Sequence, residues 1–405
     1  MNGRNWDELI PKRWVAGIVG AAVACVAAMT VASTLIGCAG PMNTRVDIPM
    51  SRAAVGVIDT SSTETASRIV FYDENLSELG ELPFRKGGMG DGWADACVWG
   101  GALYLAPQGI DKFEPGPTDE VLEISLQDAA VHSFSLGEDH ARLDCVAAND
   151  RYLFACSSAM NGPLVRYDKQ TGDVKELPLP RGGVTKLLWT GRSLFVFGTD
   201  DGAASDTGAR ADVQAGASLP SSWVLQLDEN LATEREYDLS SYGSGVRRAV
   251  ACDGVLYAVC SDGAAGADES GSERAQAGNI VMVDTHTGKV APYPLPVTDA
   301  LAVAAHDGRL YIVRQDMVAP MGTATLSVGD LGGGNLESYE LEHLADQMAI
   351  RGDRLYLADA GARMLYAYDM KALGADHAAT PAASAEFAAP DGTHTYITNL
   401  FPAGS

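Results

Sequence analysis

Basic residues are scarce in this chain: 405 residues carry 29 lysines and arginines against 53 aspartates and glutamates, a formal charge of −24. So acidic a surface repels nucleic-acid phosphates, which excludes nonspecific nucleic-acid binding and favours a soluble, self-repelling body. Histidine is scarce too. His132, His140, His286, His306, His343, His377 and His394 show no HExxH or comparable ligand spacing, and the acidic loops do not match an EF-hand, so neither a metal nor a cofactor is expected. A GxSxG nucleophile elbow is missing, because "YGSGV" at 242–246 lacks the spacing. Catalysis thus has no linear signature, which leaves only a site assembled from distant segments.

The one long apolar run stands at the N-terminus. "MNGRNWDELIPKR" places Arg4, Lys12 and Arg13 ahead of "WVAGIVGAAVACVAAMTVASTLIG", the order of an export signal, a positive flank and then an apolar core. The core closes on "LIGC", Leu35 to Cys38, which resembles a bacterial lipobox. That resemblance implies cleavage before Cys38, lipidation of this cysteine and attachment of the body to a membrane. The run is also long enough for an uncleaved membrane anchor. Either outcome puts the body outside the cytoplasm, in the cell envelope. The expected organisation is a signal peptide over 1–37, a lipidated N-terminus and linker over 38–52, and one folded body over 53–401.

The body repeats itself. "LVRYDKQTGDVKELPLP" at 164–180 returns without a gap as "IVMVDTHTGKVAPYPLP" at 280–296, in each case a strand, a turn and a strand. Ahead of the second copy stands "RRAVACDGVLYAVC", 247–260, two strands about an Asp-Gly turn. Counterparts of that hairpin begin at 97, 145, 187, 301 and 348, and an outer hairpin follows each, giving six units of four short strands. A period of roughly 40 to 60 residues with four strands per unit predicts a β-propeller. Residues 53–84 supply three strands without a first, while "THTYITNL" at 393–400 is a strand without a unit. Pairing the two completes a seventh blade and removes the open sheet edges. The expected fold is therefore an all-β, seven-bladed β-propeller closed by its C-terminal strand. Asp73, Asp168, Asp228, Asp284 and Asp369 each follow a third strand, where an aspartate can bond the backbone two residues on. Their recurrence from blade to blade points to turn chemistry, since a metal site needs convergence and these turns point apart.

"RLYLADAGARMLYAYDM" at 354–370, "LYAVCSDG" at 256–263 with "NIVMVDTHTGKV" at 279–290, and the terminal "TYITN" are similar to YVTN-type repeats of extracytoplasmic seven-bladed propellers. The resemblance spans nearly all of 53–401 and implies the fold and a location outside the cytoplasm. That family has no single activity to carry over.

Five cysteines fall in the body, Cys97, Cys145, Cys156, Cys252 and Cys260, an odd number that leaves at least one unpaired within the chain. Cys156 and Cys260 occupy equivalent places two blades apart, out of bonding reach. Cys97 and Cys145 stand on first strands of adjacent blades, and Cys145 faces Cys156 across one hairpin. Buried free thiols are the expectation.

In a propeller the loops entering first strands, and those joining second to third strands, share the face around the channel mouth. The second-to-third segments at 199–222 and 261–278 are rich in Gly, Ala, Ser and Asp and read as solvated insertions. The loops entering first strands gather bases and aromatics instead: Arg85, Lys86 and Trp93, then His140 and Arg142, then Arg181 and Lys186, then Tyr242, Arg247 and Arg248. Four consecutive junctions so furnished suit a carboxylate, phosphate or sulfate group at the mouth. The same bases can instead offset neighbouring acids such as Asp91 and Glu138. The function expected is that of a membrane-tethered binding protein or scaffold, recognising an envelope protein or a small anionic ligand on that face. The alternative is a lyase- or hydrolase-like propeller enzyme whose site is drawn from several blades.

Overall fold

Short apolar runs broken by Asp and Gly cannot make helices, and they pair instead into antiparallel strands. The computed structural model describes residues 47–404 apart from 91–95, 110–117, 141–142, 158–161, 180–181, 200–221, 244, 261–279, 295–296, 298, 316–321, 374–378 and 391. The expected signal and anchor segment with Cys38 lies outside the described residues. Those described build seven four-stranded antiparallel sheets, the blades of a β-propeller within the unit Arg45–Ser405. In blade 1 the C-terminal strand Tyr396–Pro402 is innermost, followed outward by Val55–Thr60, Ser67–Tyr72 and Glu78–Phe84. The C-terminus therefore closes the ring as the unpaired strand predicted.

The inner strands of blades 2 to 7 are Cys97–Trp99, Cys145–Ala148, Gly183–Trp189, Val246–Cys252, Ala300–His306 and Gln347–Arg351. Alternation along each strand sends successive side chains to opposite faces, so every blade feeds two neighbouring interfaces. Within Leu194–Thr199 of blade 4, Val196 packs towards blade 3 while Phe195 and Phe197 pack towards blade 5. Seven apolar clusters result, one in each gap between blades. Stability is spread around the ring rather than held in one centre.

Turn chemistry fixes the registers. Asp73, Asp168, Asp228, Asp284 and Asp369 each accept, through Oδ1, the backbone N–H two residues on at 2.8 to 3.0 Å. Asp253–Gly254 and Asp307–Gly308 take positive φ at both positions, +49° with +77° and +46° with +73°, as tight two-residue hairpins demand.

Candidate functional site

Each inner strand begins at the face where the interblade loop arrives, so its first residues reach the channel mouth. In blades 4, 5, 6 and 1 that strand carries a bulge near its start, with Thr185, Arg247, Leu301 and Thr398 as the extra residue. A bulge re-aims the side chains beside it. Lys186, Arg248, Ala302 and Asn399 follow these bulges at one level, opposite Phe197, Val259, Val313 and Ile58 of the second strands. Lys186 and Arg248 are 4% and 6% exposed, deep burial for two cations.

Arg248 of blade 5 donates from Nη2 to Oε1 of buried Gln347 in blade 7, at 2.9 Å, past blade 6. Lys186, Asn399, Asp144, Cys97 and Cys145 share the lining of a cavity of about 40 Å³. A second cavity of about 100 Å³ runs beside it between Lys186, Trp189, Cys97 and Ala249. Burial pushes the Cys97 thiol up to about 11, and the positive charge of Lys186 works against that rise. The Asp346 carboxyl, just ahead of Gln347, is raised to about 6, chiefly by burial. Asp359 adds to the shift, while the Ala360 N–H and the Arg248 charge oppose it. Two sets of groups thus stand at this level, Lys186 with Asp144 and Asn399 and Arg248 with Gln347 and Asp346, able to bind a small anion or to move a proton at Asp346.

One entering loop is sealed against the closing blade. Met89, fully buried, donates its N–H to Thr60 Oγ1 at 2.8 Å, and its carbonyl accepts from Thr398 Oγ1 at 3.0 Å. Gly90 is required there: its φ is +72°, and a Cβ would sit 2.4 Å from Asn399 Oδ1.

Of the residues singled out in the sequence, Lys186 and Arg248 are buried on neighbouring inner strands. Arg85 is exposed, and Lys86 pairs with Glu120 of blade 2. His140 lies 3.4 Å from Glu176. Half-buried Tyr242 donates its hydroxyl to the Val290 carbonyl at 3.4 Å. Trp93, Arg142, Arg181 and the Arg247 side chain lie outside the described residues. Asp144, Asp346, Gln347 and Asn399 escaped the sequence reading, although Asp144 and Asp346 each stand directly before an inner strand. That recurrence was the available signal.

A larger cavity, about 520 Å³, lies at the other end of the blades between blades 4 and 5, bordered by Arg192, Phe195, Gln226, Glu234, Arg235 and Leu256. Glu234 Oε2 accepts from Ser193 Oγ at 2.8 Å and Gln226 Nε2 at 2.9 Å, while Tyr237 donates to Gln226 Oε1 at 2.6 Å. The polar wall of this groove is thereby fixed in place.

No protein-family profile and no curated protein matches the chain. Solved structures with a similar course include BamB from Moraxella catarrhalis, 12% identical over 82% of this chain and 85% of that one, with a TM-score of 0.42. Kluyveromyces lactis Hsv2 is 10% identical over 76% and 85%, with a TM-score of 0.45. A chain of the mitotic checkpoint complex is 13% identical over 79% and 91%, with a TM-score of 0.46. The likeness is one of fold.

Proposed function

We propose that the protein is an extracytoplasmic binding protein or scaffold, tethered to the membrane through Cys38, whose loop-bearing face recognises an envelope protein or a small anion. The observation that carries this reading is the pair Lys186 and Arg248, buried cations on adjacent inner strands of a strongly acidic protein. Desolvated guanidinium and ammonium groups bind carboxylate, phosphate or sulfate more strongly than exposed ones do. The "LIGC" signature and the YVTN-like repeats support the tether and the location. Crosslinked affinity capture from the protein's own membranes, alongside titration of the protein with phosphate, sulfate and citrate, tests the reading. Loss of capture or of anion binding in Lys186→Gln and Arg248→Gln variants of unchanged circular dichroism is expected. Equal binding by the variants would remove the channel mouth as the site, and normal processing of a Cys38→Ala variant would remove the lipid tether.

Asp346 favours the enzyme as a second reading, since a carboxyl raised to about 6 beside Arg248 suits general acid or base work. A lyase or hydrolase activity abolished by Asp346→Asn, with binding retained, would put it ahead.

A further inference from the structure

Cys145 and Cys156 are direct register partners across the first hairpin of blade 3. Opposed residues of an antiparallel pair have Cα atoms about 4.5 to 5.5 Å apart and side chains on the same face, within the range that a disulfide spans. Both thiols are buried, at 5% and 0% exposure. Burial, then the neighbouring Cys145 thiol, hold the Cys156 proton well above its ordinary affinity. Among the described residues, no other body cysteine stands opposite a cysteine in its strand register, Cys97 being opposite Tyr104. Cys252 and Cys260 stand at opposite ends of one hairpin, opposite Val255 and Val246 respectively. Cys97 borders the same small cavity as Cys145 but belongs to another sheet.

We infer that Cys145 and Cys156, shown here as free thiols, are a disulfide-forming pair that staples the inner strand of blade 3 to its second strand at the channel mouth. Buried thiols react slowly, so the bond forms while the chain folds. One thiolate attacks an oxidised dithiol carrier or a glutathione-type disulfide, giving a mixed disulfide and releasing one carrier thiol. The second thiolate then attacks the chain's sulfur of that mixed disulfide and expels the other. The pair loses two protons and two electrons, and the carrier disulfide is reduced to two thiols. Once folded, the bridge is shielded from reductant by the same burial. The bond fixes Asp144, the residue before Cys145 and a wall of the mouth cavity.

The full chain, solubilised in detergent, would be unfolded in urea under reducing conditions and refolded with a mixture of oxidised and reduced glutathione. After alkylation of free thiols, trypsin cuts behind Arg142, Arg151 and Arg166. The expected product is Leu143–Arg151 joined to Tyr152–Arg166, released by reduction and absent from a Cys156→Ser variant. The unfolding midpoint of the oxidised protein should exceed that of the reduced protein by roughly 5 °C. A Cys145→Ser, Cys156→Ser double variant should match the reduced protein whatever the oxidant. Recovery of both peptides alkylated, or of Leu143–Arg151 joined to the Cys97 peptide, overturns the assignment.

Discussion

Asp59 and Arg363 lie 3.1 Å apart across 304 residues of chain, and they join the first blade to the last. Asp59 is fully buried on Val55–Thr60, and its Oδ2 also accepts from Arg68 Nε at 3.1 Å and Thr395 Oγ1 at 3.0 Å. Arg363 in turn donates to the carbonyls of Phe387 and Thr395, both at 2.9 Å. The two guanidinium groups cover the Phe387 ring, 5.0 and 4.9 Å from its centroid. Removing the carboxylate takes from two largely buried cations the acid they share, leaving Arg68 its second acid, Glu81, at 2.8 Å. Asp59→Ala should therefore cost about 3 kcal/mol, read as a lower urea midpoint at unchanged slope. A midpoint within error of the wild type would show that the cluster does not hold the closure.

The closing strand itself gives a second prediction. Phe401 lies across Gly56, its direct partner in the register, so closely that a Cβ on Gly56 would be 2.2 Å from the ring. Gly56→Ala forces that ring out of its cluster with Phe71 and Ile58, an overpacking cost of roughly 2 kcal/mol. Deletion of residues 393–405 strips blade 1 of its inner strand and should lower the melting temperature of the whole body. An unchanged calorimetric trace for the deletion would refute closure by the C-terminus.

Much of this was legible in the sequence, and for a physical reason. The Asp after five of the seven third strands and the Asp-Gly pairs after two first strands are local, so the repeat and its registers could be read directly. The missing first strand of blade 1 and the spare strand at the end implied each other. The mouth was harder to read. Lys186 and Arg248 directly follow single-residue bulges at Thr185 and Arg247, and a bulge has no fixed signature in composition. Gln347 matters through Arg248, two blades away. Glu120 and Glu176, which engage Lys86 and His140, likewise come from strands distant in sequence.

Asp346 supplies a pH dependence of defined sign. An unfolded aspartate titrates near 3.9, and in the folded protein burial raises this one to about 6. The folded state therefore holds the proton more tightly than the unfolded state between those values. Stability contributed by this residue falls as pH rises from about 4 to about 6, and the deficit then stays constant, on the order of 2 to 3 kcal/mol. His343 acts in the opposite direction. Burial against Tyr366 and Tyr368 lowers its proton affinity, so protonating it as pH falls below its unfolded value near 6.5 costs stability. The two effects overlap in the wild type, and the difference between wild type and Asp346→Asn isolates the carboxyl. Urea midpoints measured from pH 4.5 to pH 7.5 should show the variant gaining on the wild type steadily up to about pH 6, then holding a constant lead. A lead that does not change with pH would mean that Asp346 titrates normally, and the enzyme reading would lose the group that favours it.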